Sequence, residues 1–353
     1  MATTSASVRE TERPGPPRSR STSITYALAG LGLLIVGYAL WTWGAWLADG
    51  PRPVTEFRDL NSPTLWVARG YEAAMVITAI TVLVVVIRGC LRQRRMTFDA
   101  MMIVAGFFTL FWDPMVNWMQ PNFFYSSQWI NLNTWVSYAP FVVNPTAGQM
   151  PQPMVFIGLI YPFGWVPFAM LLNAGMAAVK RRRPMLSHAR LIGLTYLGAL
   201  GLCMALEAPM FLMNLWGLPG APAALALFDD DHRFAWAEYV TTAIVFTTVA
   251  AVRFFKNDKG QTLPERGLDG LGAARRAIIA TLASIALFAM SMWVLILVQL
   301  PAGLHASPYP QGYPDHMINN LCDVKPGMHT EYGPCPGSPG FRMPVGQTFE
   351  PGQ

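Results

Sequence analysis

Seven apolar runs, each long enough to cross a lipid bilayer, constrain this chain more than any other feature. They lie at about 24–48, 65–87, 98–119, 154–179, 189–213, 235–255 and 277–300. An α-helix needs about 20 apolar residues to cross a hydrocarbon core of about 30 Å, and its backbone groups are then paired internally. With 53% hydrophobic and only 13% charged residues, the chain is also poorer in charge than a typical soluble protein. The sequence therefore predicts an all-α, polytopic membrane helix bundle with seven transmembrane helices.

The chain divides into a head, a membrane domain and a tail. Residues 1–23 are rich in Ser, Thr, Pro and Arg and are predicted to be disordered. Residues 24–300 form the seven-helix domain, and its first run is too long for the core of a cleaved signal peptide. Residues 301–353 contain 10 Pro and 8 Gly, a composition that rarely builds a packed core.

The basic residues predict the orientation of the bundle. The head and three alternate connections hold 19 of the 25 Lys and Arg residues. Cytoplasmic loops carry such an excess, so the sequence predicts a plasma-membrane protein with its N-terminus inside and its C-terminus outside. These residues do not line one face, which argues against a nucleic-acid partner for the net charge of +5. On the outer, oxidising side, Cys322 and Cys335 are candidates for a disulfide, whereas Cys90 and Cys203 are expected to be unpaired.

The outer segment 120–153 contains no charged residue but many aromatic ones. Tyr125, Trp129, Trp135 and Tyr138 lie there among Asn, Gln and Ser, a mixture typical of the membrane surface. Two interpretations remain open, an interfacial or re-entrant lid and an ordinary aromatic-belt loop.

Carboxyl groups from four predicted helices fall at one depth, in the outer third of the membrane. They are Glu72, Asp113, Glu207 and Glu238. Ionisable groups inside a membrane are costly and are functional candidates by default. Low dielectric favours the protonated form of a carboxyl and a nearby Arg favours the ionised form, so such a set suits general acid and general base catalysis.

The spacing of neighbouring polar residues favours a shared pocket. Arg69 is three residues before Glu72, and Asn117 is four residues after Asp113, so each pair is predicted to share a helical face. Pro114 and a second proline two residues after Glu207 are expected to kink their helices. Structural alternatives remain open: a buried ion pair for Arg69, a headgroup position for Glu238 and interhelical hydrogen bonding for Asn117.

The absent features exclude several classes of protein. The five histidines lie at membrane edges or outside, which favours a metal-free, cofactor-free site. The seventh run has no Lys for a retinal Schiff base, and the chain has no phosphate-binding Gly-rich loop. It also lacks two similar halves, which weakens the case for an inverted-repeat transporter.

The stretch GFFTLFWDPMVN at 106–117 resembles the AveC-like spirocyclase family of actinobacterial membrane proteins. The element Trp112-Asp113-Pro114-x-x-Asn117 carries most of the resemblance, together with the aromatic loop and the MPQP sequence at 150–153. The resemblance covers most of the chain, from the first span to the seventh. It implies cofactor-free acid–base chemistry on a polyketide, with stereoselective closure of a dihydroxy-ketone to a spiroketal, and a dehydratase activity in some members.

No catalytic set is carried over from the family, so the roles follow from residue depth. Glu207 is the expected proton donor, and Asp113, oriented by Asn117, is the expected ionised partner. Arg69 and Glu72 are expected to form a supporting pair, and Glu238 is the fourth candidate acid. The substrate-binding candidates are Arg69, Trp112, Asn117, Tyr125, Trp129, Trp135 and Tyr138. The alternatives are a membrane binding or export protein for a hydrophobic lipid or polyketide, without chemistry, and a structural subunit of a larger complex.

Overall fold

The computed structural model describes residues 20–228, 231–233, 235–325 and 327–342. The helices in this part of the chain are α1 (Arg20–Asp49), α2 (Pro63–Gln93), α3 (Phe98–Leu110), α4 (Phe156–Leu159), α5 (Trp165–Arg182), α6 (His188–Leu212), α7 (Trp236–Phe254), α8 (Ala273–Leu304) and α9 (Asp315–Ile318). The strands are β1 (Phe124–Tyr125), β2 (Asn131–Asn133), β3 (Pro151–Pro153) and β4 (Trp216–Gly217). Short 3₁₀ turns occupy Asp113–Asn117, Val136–Tyr138, Ala147–Gln149, Ala223–Leu225 and Leu263–Glu265.

The described chain has seven helical segments that are long and apolar enough to cross a membrane, as predicted. One is α4 continued through a π-helical turn, Ile160–Gly164, into α5. Another is α3 continued into the 3₁₀ turn that ends at Asn117. Large apolar side chains such as Leu34, Trp41 and Ile77 are exposed on the outer surface of the bundle. The predicted all-α class is confirmed in that the structure is mostly helical.

The helices depart from the predicted spans at several ends, and prolines lie at two of the changes in helix type. The third predicted span runs to 119, but α3 ends at Leu110 and Pro114 opens the 3₁₀ turn, because proline has no backbone N–H to continue an α-helix. Pro162 lies in the π-helical turn of the fourth segment. Helix α8 passes through Pro301 and ends at Leu304. The described chain is already helical at Arg20, and residues 1–19 of the predicted disordered head lie outside the described residues.

The two ends of the bundle are built differently. Short turns at 94–97 and 183–187 and a longer connection at 255–272 join helices at one end, here called the basic end. The opposite end carries the cap, defined as residues 118–155, 213–228 and 305–325. The cap contains two small antiparallel ladders, β1 with β4 and β2 with β3. Its polar groups bond to neighbouring segments, as where Asn133 and Asn131 accept hydrogen bonds from the backbone N–H groups of Arg52 and Val54.

The aromatic segment of the cap is packed inward. Trp129 and Trp135 are each only 1% exposed, and their indole N–H groups donate to the carbonyls of Leu215 and Phe111. Inward burial of this kind favours a lid over an aromatic belt, because belt residues keep their polar tips at the membrane surface.

The described part of the tail packs against residues 118–155 and 213–228, the other two segments of the cap. Tyr309, Tyr313 and Met317 form a hydrophobic cluster with Phe124 and Met150 of the cap. Gly217 faces the Tyr313 hydroxyl so closely that a Cβ there would collide with it. Cys322 and Cys335, also in this cluster, form a disulfide with a Cα–Cα distance of 4.9 Å. A composition that rarely builds a packed core nevertheless does so in the described part of the tail, because Phe124 and Met150 contribute to the cluster.

Candidate functional site

A cavity of about 490 Å³ lies between the helices beneath the cap. Its walls come from α2, the 3₁₀ turn that follows α3, the α4–α5 segment, α6, α7, α8 and the cap. Most lining side chains are apolar or aromatic, and none of the described lining residues is basic. The acidic side chains that line it are Asp113, Glu207 and Glu238. The volume is typical of a small-molecule site.

Asp113 lies at the start of the 3₁₀ turn and is held by three uncharged donors. The Tyr161 hydroxyl donates to Oδ1 at 2.7 Å, and the Gln152 amide donates to Oδ2 at 2.8 Å. The Tyr125 hydroxyl lies 3.1 Å from Oδ1 and 3.0 Å from Oδ2. Asp113 itself is 8% exposed. Hydrogen bonds donated to a carboxylate stabilise its ionised form without a neighbouring cation.

Each donor to Asp113 comes from a different local structure. Tyr125 is in β1, opposite Trp216 of β4, and Gln152 is the central residue of β3. Burial, together with the adjacent Asp113 carboxylate, raises the pKa of Tyr125 well above its ordinary value, so this phenol keeps its proton to donate.

Tyr161 reaches Asp113 from the π-helical turn. That turn packs directly on α3 at Gly106, where a Cβ would lie 2.2 Å from the Tyr161 carbonyl oxygen. Only glycine therefore allows this approach of the two backbones. Turns of π-helix within α-helices are frequent at functional sites.

Glu238 lies in the first turn of α7 and has two hydrogen-bond donors. The Thr242 hydroxyl donates to Oε1 at 2.9 Å, and the Gln299 amide of α8 donates to Oε2. Its position near a helix N-terminus also favours negative charge. The Glu238 carboxyl interacts electrostatically with Asp113 and with Glu207.

Glu207 differs from the other two acids. It lies on the cavity side of α6, and its buried Oε2 atom has no hydrogen-bond partner in the described structure. A carboxyl without donors in an apolar site is stabilised in its protonated form. The cavity therefore contains three carboxyl groups in three different environments.

Glu72 does not line the cavity, so the expectation that all four acids share one chamber is wrong for this residue. It forms an ion pair with Arg69 and accepts a hydrogen bond from the Ile130 N–H at 2.6 Å. The Arg69 guanidinium also donates to the Gln128 carbonyl at 2.8 Å. The neighbouring residue Tyr71 faces the cavity, and one residue turns an α-helix by about 100°, which directs Glu72 toward the cap. Arg69 and Glu72 thus clamp the aromatic segment to α2.

Asn117 does not orient Asp113, contrary to expectation. Its Nδ2 donates to the Phe123 carbonyl at 2.9 Å, and its Oδ1 accepts from the N–H groups of Asn122 and Phe123 at 2.8 Å. The two side chains diverge because residues four apart share a face in an α-helix but not in a 3₁₀ helix with three residues per turn. Asn117 therefore holds the backbone at the start of the aromatic segment.

The aromatic candidates separate into two groups. Tyr125 and Trp129 line the cavity. Trp112, Trp135 and Tyr138 do not, which overturns their expected contact with a ligand in this cavity. Trp112 packs against Trp293, and the Tyr138 hydroxyl donates to Asp49. Partial burial, with that carboxylate nearby, raises the pKa of Tyr138 to about 12.

Several residues of the site are not among those predicted from the sequence. Tyr161 and Gln152 donate to Asp113, Gln299 donates to Glu238, and Trp216 and Phe156 form walls. A signal was present for the first two: Tyr161 precedes a proline inside an apolar span, and Gln152 lies between two prolines. Gln299 is an uncharged residue near a span end and carried no comparable signal.

Comparison with known proteins identifies the family. A family model described as Spirocyclase AveC-like matches residues 93–318, which include Asp113, Glu207 and Glu238. The first two helices, with Arg69 and Glu72, precede the matched region. No curated protein and no solved structure matches the chain. Because the matched region spans more than half of its length, the chain belongs to the AveC-like spirocyclase family, which suggests a spirocyclase-related role.

Proposed function

We propose that this protein is a membrane-embedded spirocyclase that closes a dihydroxy-ketone polyketide to a spiroketal by cofactor-free acid–base catalysis. One observation carries the proposal: three carboxyl groups with different hydrogen-bond environments line a single apolar cavity. Separated carboxyl environments supply an acid and a base at the same pH. Membership of the AveC-like family supports the class of reaction.

The bundle is proposed to lie in the plasma membrane with the basic end inside and the cap outside. Two features support this orientation. Most Lys and Arg residues are at the basic end, as expected of cytoplasmic loops. The disulfide between Cys322 and Cys335 is at the other end, where an oxidising environment would preserve it.

In the proposed mechanism, one substrate hydroxyl first adds to the ketone to give a hemiketal. Protonated Glu207 donates its proton to the hemiketal hydroxyl, which leaves as water and generates an oxocarbenium ion. The Asp113 carboxylate stabilises this cation, and it accepts the proton of the second hydroxyl as that oxygen attacks the cationic carbon. One C–O bond is broken and one is formed in this step, and the overall reaction releases one water molecule.

Glu238 is proposed to restore the starting protonation states. After ring closure Asp113 holds the proton that Glu207 has lost, so a proton must return before the next cycle. Glu238 lines the same cavity as both carboxyls and is the proposed relay. The Gln299 and Thr242 donors hold its carboxyl in the cavity wall.

The cavity walls are proposed to impose stereochemistry. Trp129 stacks on Phe156 with ring centroids 5.0 Å apart and an interplanar angle of 9°, which makes a flat wall beside the acids. A rigid apolar surface restricts the folded conformations that a substrate can adopt. If the oxocarbenium ion, formed when the hemiketal loses water, gives up a proton from the adjacent carbon instead of being attacked by the second hydroxyl, the product is a cyclic enol ether, and the same residues catalyse dehydration as a second activity.

Incubation of the purified protein with a synthetic dihydroxy-ketone tests the proposal. We expect formation of one spiroketal epimer, measured by chiral chromatography and mass spectrometry as the loss of one water. Glu207→Gln should abolish most of this turnover. Asp99→Asn, which alters a carboxyl paired with Arg253 at the basic end, should retain it.

Two other outcomes would support a different function. Unchanged substrate with measurable affinity would favour a binding or export protein. Turnover or cellular function that survives both Asp113→Asn and Glu207→Gln would favour a structural subunit.

A further inference from the structure

We infer that the ligand enters this cavity sideways from the hydrocarbon layer, through an opening between α2, α5 and α6. The substrate class is then a bilayer-partitioned molecule with an oxygenated segment at the acids and an apolar chain in the opening. This inference rests on the proposed function for the chemistry, but the route can be tested without it.

The opening is marked by residues that line the cavity and are also exposed on the outside of the bundle. Leu171 of α5 is 58% exposed and Leu206 of α6 is 49% exposed, and both line the cavity. Thr78 of α2, also a lining residue, is half-buried. A side chain that faces both the cavity and the outer surface must lie at a mouth.

The mouth lies at the depth of the apolar core of the bundle. Thr78 is the middle residue of α2, which runs from Pro63 to Gln93, so it is about 22 Å from each helix end. Its hydroxyl donates to the Ala74 carbonyl within the same helix and presents no unpaired donor to lipid. Large apolar residues on the neighbouring turns of α2, such as Ile77 and Ile80, are exposed. The mouth is therefore surrounded by a surface suited to acyl chains.

The other directions are closed. On the cap side, Phe123, Tyr125, Trp129 and Trp216 line the cavity and are buried beneath the rest of the cap. On the basic side, buried residues pack tightly about one turn beyond the lining residues of α7 and α8 that are nearest to that end. They are Val249, Ala250, Phe288 and Ala289.

Helix α6 carries both an edge of the mouth and one of the candidate catalytic acids. Cys203, Glu207 and Met210 are spaced along one face and line the cavity. Leu202 and Leu206 are four residues apart on the adjacent face and form the edge of the mouth. A ligand passing Leu206 therefore meets the unpartnered Glu207 carboxyl next. An amphiphile entering with its oxygenated end first would place that end at the acids and leave its chain among leucines.

Photolabelling of the full chain in phosphatidylcholine vesicles tests this route. The probe is a long-chain alkyl alcohol with a diazirine at its hydroxyl end, compared with a short water-soluble carboxylate diazirine. Labelled peptides are quantified by mass spectrometry, with exposed apolar residues of α1 as an internal reference for labelling from lipid. We expect the alkyl probe to label Cys203 and Met210, and the water-soluble probe to leave them unlabelled.

Bulky substitutions at the mouth provide the decisive comparison. Leu206→Trp and, on a second helix, Leu171→Trp should each lower cavity labelling relative to the α1 reference by about tenfold, the equivalent of an overpacking cost near 1.4 kcal/mol. The matched control Leu197→Trp alters a residue of α6 that is 61% exposed and does not line the cavity, and labelling should be unchanged.

Two results would overturn the lateral route: equal cavity labelling in both mouth variants and the control, or equal labelling by the water-soluble probe. Asp113→Asn separates this inference from the proposed function. Cavity labelling that persists in this variant while turnover is lost supports both. If labelling follows the expected pattern but the protein has no spirocyclase activity, the lateral route is supported and the proposed function is wrong.

Discussion

Two clusters next to the cap each contain a buried carboxyl group, and they stabilise its charge in opposite ways. Glu72 is paired with a cation, Arg69, and with a backbone N–H of the cap. Asp113 is surrounded by two phenols and an amide, all uncharged. An ion pair with satisfied hydrogen bonds has little residual reactivity, whereas a carboxylate held by neutral donors can still stabilise a passing cation or take a proton.

The two clusters are expected to have different roles, one structural and one chemical. The Arg69–Glu72 clamp lies outside the cavity and fastens the aromatic segment, while the Asp113 cluster opens into the cavity beside Glu207 and Glu238. Both clusters depend on the same cap, because Gln128 and Ile130 bond to the clamp and Tyr125 bonds to Asp113. Substitutions should therefore affect stability at the clamp and turnover in the cavity.

The largest effect is expected for Asp113→Asn. The amide has the same shape but no charge to stabilise a cation and no basic oxygen to accept a proton, so turnover should fall by about 10² to 10⁴. The melting temperature should change little, because the phenols and Gln152 can reorient toward an amide. Steady-state formation of spiroketal and a thermal melt in detergent measure the two quantities. An unfolded or fully active Asp113→Asn protein would remove the distinction between the clusters.

Glu72→Gln is expected to have the next largest effect, on stability. It leaves the Arg69 cation without its partner, at a cost of about 1 to 3 kcal/mol, less than for a fully buried pair because Arg69 is partly exposed. Turnover per folded molecule should be retained. The double variant Arg69→Gln with Glu72→Gln should recover part of the loss, since no unpaired charge remains. Loss of turnover without loss of stability would assign Glu72 to the chemistry.

Tyr161→Phe and Tyr125→Phe should each reduce turnover by roughly tenfold. Each removes one of the three donors to Asp113, and a hydrogen bond to a charged group contributes about 1.5 to 3 kcal/mol, part of which the remaining donors can replace. Tyr138→Phe is the matched control, because its hydroxyl bonds to Asp49 outside the cavity. Equal turnover in all three variants would show that the hydroxyls do not act through Asp113.

The sequence predicted the helices better than the partners of the acids. Apolar runs of span length determine helices almost alone, and the shared depth of Asp113, Glu207 and Glu238 follows from counting along them. Rotation about the helix axis is less certain, because one residue turns a side chain by about 100° and apolar faces are only weakly distinguished in a membrane span. The prediction that Glu72 lines the cavity is wrong for this reason, since its neighbour Tyr71 lines the cavity instead.

Changes in helix type account for the remaining errors. The pairing of Asp113 with Asn117 assumed an α-helix where Pro114 imposes a 3₁₀ turn. Tyr161 reaches Asp113 from a π-helical turn, and Gln152 reaches it from a strand in the cap. These contacts join residues 39 and 48 positions away from Asp113, a separation at which no local pattern predicts contact.

The smallest predicted effect is a loss of stability in the cap when His316 becomes protonated. Burial lowers the pKa of this imidazole below its ordinary value of 6.5, although a backbone hydrogen bond at Asn214 and the charges of Asp315 and Asp59 act in the opposite direction. A lowered pKa means that the unfolded state binds the proton more readily. The contribution of neutral His316 to stability is therefore complete above 6.5 and is lost as the pH falls from 6.5 through the folded-state value.

Hydrogen exchange detects this loss as faster exchange in the cap. The N–H of Ser127, which bonds to the His316 carbonyl, should exchange faster at about pH 5.5 than at about pH 7.5 after correction for the intrinsic rate, by an amount equivalent to at most about 1 kcal/mol. His316→Gln, which cannot ionise, should remove the difference. The clamp and the Asp113 cluster both bond to the cap, so a larger opening of the cap on acidification would expose both. An unchanged corrected rate would show that the stability of the cap does not depend on the protonation of His316.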